Sequence, residues 1–300
     1  MTNCYKQRRV CLDSVTCKTI IPLSSSDCGQ CILLEIIENI SQTADFRNIH
    51  QSGSSKMPLF IVAVPIGHPD DITLRAIKTL QKVDFVVCEE AKVGRRLLKQ
   101  LDIEKPLYLL NEHDEEESSD EIIQLLLKNQ SGAYFSDAGT PLFADPGTYL
   151  VNHCHQFGIQ VIPVPGASSL TAALSVAGVD TRQFYYAGFL PRVPTERRNA
   201  IRKLKHFECP VIIYDTPYRL RALLDDIKTE LSAKTKAVLA LSLTQAGERI
   251  LTGTLADIIV DVNANYSKRE FVLIIEPSSP QKPARQIQKK TRRKNSGKYS

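Results

Sequence analysis

The 300-residue chain is 43% hydrophobic and 24% charged, enough for about two domains with a substantial core. No apolar run approaches the ~20 residues that span a bilayer, so no membrane association is expected. The formal charge of +5 misleads, because eight of the 38 Lys and Arg lie after Pro277 with no acid among them, leaving 30 basic against 33 acidic residues before it, a net −3. A polyanion-binding tail on a near-neutral body fits this pattern better than a basic globule.

Residues 1–56 read as a disordered leader. Its basic start at Lys6, Arg8 and Arg9 is followed by apolar residues broken by Asp13, Thr16 and Lys18, a poor secretion signal. Five of the eight cysteines lie in the first 31 residues, and the single Cys28–Cys31 CxxC pair is a weak zinc signal. Cys88, Cys154 and Cys209 sit in apolar surroundings and read as buried free thiols of a reduced, cytoplasmic body. Met57, the only methionine besides Met1, stands just before the first convincing strand, so a body starting there is expected to be complete.

From Met57 the order of elements is regular. Unbroken apolar runs predict buried strands at 59–64 and 85–88, with further strands at 106–110, 133–135 and 160–164. Between them, apolar spacing predicts helices at 72–82, 93–101, 120–128 and 148–154, with Asp145 as N-cap and Pro146 as first helical residue of the last. This βαβα rhythm predicts a mostly parallel sheet covered on both faces. A glycine loop at 165–169 opens a small-residue helix to Ala177, after which strands at 184–190, 211–214, 237–243 and 271–276 alternate with helices ending near 207, 230 and 262. The chain is therefore expected to be α/β, with an N-terminal domain at 57–166, a C-terminal domain with a mixed sheet at 167–277, a ligand cleft between them, and a basic disordered tail at 278–300.

The segment Ser136–Gly147 organises this reading. It leaves the carboxyl end of a strand and enters a helix, where open α/β sheets bind ligands. Such connections usually need two to about six residues, so twelve with Gly139, Pro141, Pro146 and Gly147 favour function. No GxGxxG follows a strand, no P-loop or GxSxG is present, and His153 and His155 are spaced wrongly for a chelating pair, so no metal is expected. What remains is a set of Pro/Gly loops at strand ends, which bind through backbone groups and suit a zwitterionic sulfonium ligand better than a triphosphate.

These loops carry a resemblance. Val64–Gly67 with Asp71–Ala76, Ser136–Pro141 with Asp145–Gly147, Pro163–Leu170, Gly188–Arg192 and Glu270–Glu276 together resemble the tetrapyrrole-methylase-like (class III) S-adenosylmethionine-dependent methyltransferases. Within that family they are similar to the branch acting on small-subunit ribosomal RNA, the 16S rRNA cytidine 2′-O-methyltransferases. The resemblance implies S-adenosylmethionine held between two α/β domains of a homodimer, and rRNA or the small ribosomal subunit as partner. It implies that Pro65, Asp137, Ala138, Gly139, Leu142, Ser168, Ser169, Asp215 and Thr244 line the cofactor, and that Arg192, Arg197 and Arg198 contact RNA phosphates. Glu89, Glu90 and Asp137, all at strand ends, are the carboxylates available to assist a poorly nucleophilic ribose hydroxyl.

The chain departs from that branch in three places. Cys88–Lys92 reads CEEAK against CEDTR, Tyr214–Arg219 reads YDTPYR against YESPHR, and Leu241–Glu248 lacks the branch's His-Glu pair. A divergent paralogue acting on another RNA site, a methylase of a small porphyrin-like molecule, and a non-catalytic RNA-binding relative are the competing readings.

Overall fold

The computed structural model describes residues 56–277 except Ser267. The expected leader with its CxxC pair, and the basic tail, lie outside the described residues. No described helix is long and apolar enough to cross a membrane.

The first half alternates strands and helices: β1 (Leu59–Val62), a 3₁₀ turn (Pro69–Asp71), α1 (Leu74–Lys82), β2 (Phe85–Cys88), α2 (Ala91–Gln100), β3 (Leu107–Leu109), α3 (Glu115–Leu127), β4 (Gly132–Tyr134), α4 (Thr148–Gln156) and β5 (Val161–Val164). The strands form one parallel five-stranded sheet in the order β3-β2-β4-β1-β5. One face is covered by α1 and α2 through Ala76, Leu80 and Leu98. The other is covered by α3 and α4 through Ile122, Leu126, Leu150 and Cys154. Burial on both faces is why these strands read as continuous apolar runs.

The second half contains α5 (Ser169–Val176), β6 (Tyr185–Phe189), α6 (Pro194–Leu204), β7 (Val211–Tyr214), a 3₁₀ turn (Pro217–Arg219), α7 (Leu220–Glu230), β8 (Lys236–Leu241), β9 (Arg249–Thr254), α8 (Leu255–Asn265) and β10 (Phe271–Ile275). Its sheet is mixed, ordered β6-β7-β10-β8-β9, with β6 and β7 parallel and the other pairs antiparallel. The helix α5 packs Leu170 and Ala173 on one face of this sheet, and α6, α7 and α8 cover the other.

Several expectations need correction. The expected cap Asp145 and first-turn Pro146 lie before α4, whose N-cap is Gly147 in the left-handed region at φ 118°. The capping is done from afar: Glu115 Oε1 accepts the N–H groups of Gly147 (2.8 Å) and Tyr149 (3.0 Å). A carboxylate satisfies the orphan amides and suits the positive end of the helix. The edge strand β9 was not expected at all. Cys88 and Cys154 are buried, and burial pushes both thiols up to about 12, whereas Cys209 is only half-buried.

Candidate active site

Parallel strands place the loops after β1, β2, β4 and β5 on one edge of the first sheet. The loop after β4 stitches the other three together. Gly139 forms a bridge with Val64, its carbonyl accepting from the Val64 N–H (2.9 Å) and its N–H donating back (3.1 Å). Asp137 Oδ1 accepts the Glu90 N–H at 3.3 Å, which ties in the loop after β2. Thr140 Oγ1 donates to the Ala167 carbonyl at 2.9 Å, which ties in the loop after β5. Gly139 has φ +80°, and a Cβ there would lie 3.0 Å from Ile66 Cγ2. Leu142 is also left-handed at φ 72°, with its side chain turned into the core beneath α4.

The second domain meets this edge from across a cleft. A Cβ on Gly67 would approach Gln245 Cγ to 2.4 Å and Thr244 Oγ1 to 2.8 Å, so only glycine allows this approach. The His68 N–H donates to Thr244 Oγ1 (3.1 Å), and Thr244 is itself held at φ 62°. The cleft is lined by Ile66 and Ala138 from the first domain and by Ser169, Phe189, Tyr214, Asp215 and Leu243 from the second. At its wall the Ser169 and Tyr214 hydroxyls are 2.6 Å apart.

The electrostatics differ from a plain backbone cradle. Glu89 is pushed up to about 7, first by burial and then by the charges of Asp137, Asp145, Glu112 and Glu90. Asp145 is raised by burial and by Asp137, against a hydrogen bond from the Ser136 hydroxyl. Partial desolvation and the Glu90 charge likewise raise Asp137, against the Glu90 N–H. Mutually repelling carboxylates close together, here with Asp137 exposed and Glu89 and Asp145 half-buried, favour either a shared proton or a bound cation. Asp215 is buried; its Oδ1 accepts the Thr216 N–H at 2.7 Å. Its Oδ2 lies 3.1 Å from Arg219 Nη2 but has no hydrogen bond of good geometry. Burial raises Asp215 despite the Thr216 N–H and the nearby arginines.

Of the expected cofactor-lining residues, Ala138, Ser169 and Asp215 border the cleft, and Gly139 fixes the loop beside it. Leu142 offers the cleft no side chain. Of the carboxylates, Glu90 is exposed at the start of α2, and its backbone serves Asp137. Arg192 and Arg198 are exposed, but Arg197 is a correction. It is 6% exposed; its Nε donates to Asp226 Oδ2 (2.7 Å) and its Nη1 to the Arg192 carbonyl (3.0 Å), so this guanidinium is spent inside the protein. Asp226 also receives Arg198 Nε at 2.6 Å. Burial opposes ionisation of Asp226, but the hydrogen bonds from Arg198 and Arg197 outweigh it and hold this carboxyl below the usual range. Asp226→Asn is expected to destabilise the fold by about 3 kcal/mol, because Arg197 stays buried without a counter-charge. A urea titration checks this; an unchanged midpoint at unchanged slope would show the pair to be dispensable. Sequence reasoning also missed the cleft aromatics Tyr214 and Phe189, although the aromatic density of 184–189 was a visible signal for the second.

Residues 58–259 match the family of tetrapyrrole (corrin/porphyrin) methylases. The chain belongs to that family. A ribosomal RNA small subunit methyltransferase I from Xylella fastidiosa is 40% identical over 229 residues, 76% of this chain and 84% of the relative. One from Escherichia coli O157:H7 is 37% identical over 230 residues, 76% and 80% of the two chains. The fold is shared with diphthine synthase (TM-score 0.60, 16% identity, 74% of this chain and 90% of that one) and a cobalt precorrin-4 methyltransferase (0.55, 18%, 74% and 95%). Tetrapyrrole methylases use S-adenosylmethionine, and this member is an S-adenosylmethionine-dependent methyltransferase. The site suits that cofactor: Asp215 Oδ2 is a buried acceptor lacking a well-formed hydrogen bond, and Asp215 with the Ser169 and Tyr214 hydroxyls gives the cleft wall polar groups among apolar ones.

Proposed function

We propose that the chain methylates the ribose 2′-hydroxyl of a cytidine in 16S rRNA. The observation that carries the substrate is the similarity, at 40% identity over most of both chains, to relatives named for small-subunit rRNA methylation. Asp215, Ser169, Ala138 and the backbone around Pro65 and Gly139 would hold S-adenosylmethionine, with Ser168 and Thr244 in the adjoining loops. Bound there, it supplies an activated methyl group, so alignment is the protein's main task.

Glu89 accepts the proton that the attacking hydroxyl must lose. Its raised affinity for a proton, near neutrality, suits a general base better than exposed Glu90 does. Asp137 acts by holding the Glu90 backbone and by raising Glu89. Arg192 and Arg198 contact phosphates on the exposed side. A homodimer working in the cytoplasm belongs to the same reading. The test is to map 2′-O-methylation along 16S rRNA from a strain lacking the gene and from the complemented strain. Loss and return of one methyl mark is the expected result, and an unchanged map would overturn the substrate assignment.

A further inference from the structure

We propose that a row of four aromatic rings, Phe143 from the first domain with Tyr186, Tyr214 and Phe189 from the second, carries a stacking platform for the nucleobase of the acceptor nucleotide, with Phe189, which lines the cleft, the ring on which the base lies. The inference deepens the RNA reading and rests on it.

The row runs Phe143, Tyr186, Tyr214, Phe189. Centroids are 5.9, 5.2 and 6.2 Å apart along it, and successive rings are near-perpendicular at 80°, 89° and 89°. The two inner rings are partly buried, whereas Phe143 and Phe189 at the ends are 54% and 51% exposed. Phe189 lines the cleft beside Tyr214, Ser169 and Asp215. Burial raises the hydroxyls of both Tyr186 and Tyr214, and the charge of Asp145 adds to it. The Tyr186 hydroxyl is buried and has no hydrogen-bond partner among the described residues. An unpaired buried phenol carries a desolvation penalty that a polar edge of a base or ribose would remove.

The backbone is built to make this row. Tyr186 and Phe189 are three residues apart, so in a regular strand they would face opposite sides of the sheet. The β6–β7 register shifts between Tyr186 and Gly188, with Gly188 at φ +63°, and both rings thereby reach Tyr214. The chain beyond Phe189 is then locked. Arg219 Nη2 donates to the carbonyls of Leu190 (2.9 Å) and Pro191 (3.1 Å), and buried Arg197 to that of Arg192 (3.0 Å). A rigid exposed ring beside the cleft matches how unstacked RNA bases are held, on aromatic faces that give position and affinity with little base identity.

The chain contains no tryptophan, so Phe189→Trp in the full-length protein installs a lone indole reporter. A small-subunit rRNA fragment is titrated against the wild type and the Ala, Leu and Trp variants at position 189. Phe189→Ala and Phe189→Leu are each expected to weaken RNA binding about ten-fold or more, since Leu keeps apolar bulk but has no π face. Phe189→Trp is expected to bind like the wild type, its emission quenched as RNA is added. Should the Ala variant fail to fold, the Leu and Trp pair still decides. Full binding by the Leu variant, or an unmoved Trp signal while RNA binds, would reduce the row to packing. Failure of the wild type itself to bind or methylate the fragment would overturn the RNA reading, and the platform with it.

Discussion

Gly139→Val is expected to abolish S-adenosylmethionine binding while leaving both sheets folded. Gly139 sits at φ +80°, a region costing a bulky residue about 1–3 kcal/mol and a β-branched one the most. The added side chain would start 3.0 Å from Ile66 Cγ2, and Ile66 itself lines the cleft. Relief of the strain requires release of the paired hydrogen bonds to Val64, and with them the anchor of the loop on β1. The strands and their covering helices lie behind this edge, so global unfolding should change little. Calorimetry with the cofactor and a circular-dichroism melt check both halves. Gly139→Ala, without the branched carbon, should fall between wild type and Val. Undiminished affinity in the Val variant would make the loop a mere connector.

Glu89→Gln is expected to lower kcat by about 10²–10³-fold, within the usual range for loss of a general base. The wild type should lose activity as pH falls through about 7, because protonated Glu89 cannot accept the hydroxyl proton. The variant should lack that limb. A bound sulfonium adds positive charge near the cluster and favours the ionised form, so the limb in kcat should lie at lower pH than the limb in kcat/KM. Stability should move the other way. Glu89 binds its proton more tightly folded than unfolded, so its contribution falls as pH rises from about 4.5 through about 7. At pH 8 the cofactor-free Gln variant should therefore be the more stable protein, by on the order of 1 kcal/mol after allowing for solvent screening. A pH–rate profile with matched melts checks this pair of signs. An intact acidic limb in the variant would assign the proton transfer elsewhere.

Continuous apolar runs were enough to place the inner strands: Phe85–Cys88 and Val211–Tyr214 stand where the sequence puts them, because burial on both faces leaves no polar interruption. The edge strand β9 was illegible for the converse reason. Arg249–Thr254 is half-exposed along its length and holds Gly253, so its pattern resembles a loop. The acidic start of α3 hid its first turn, since Glu115–Glu117 carry no apolar rhythm. The position of the cleft was legible from glycine and proline at strand ends. Its charge was not, because the shift in Glu89 depends first on burial and then on Asp137 and Asp145 from a loop more than forty residues later. Arg197 read as a surface cation because Asp226, its partner 29 residues on, is invisible to local reasoning. The aromatic row stayed hidden because strict alternation assigns Tyr186 and Phe189 to opposite faces, and only the one-residue shift at Gly188 unites them.

The ties of the Ser136–Gly147 loop also divide it in time. Its early part is pinned by Gly139 to β1, and its late part by Glu115 to the Gly147 and Tyr149 amides and by the Tyr134 hydroxyl to the Pro146 carbonyl at 2.7 Å. Between these anchors Phe143 and Ala144 form an exposed crest. Amide protons at the anchors must wait for a cooperative opening of the domain before they exchange with solvent, whereas those of the crest need only a local excursion. Hydrogen exchange is therefore expected to be faster at the Phe143 and Ala144 amides than at those of Gly139, Gly147 and Tyr149. One twelve-residue segment thus keeps two clocks, a slow one for the small ligand and a fast one for whatever large molecule presses on Phe143.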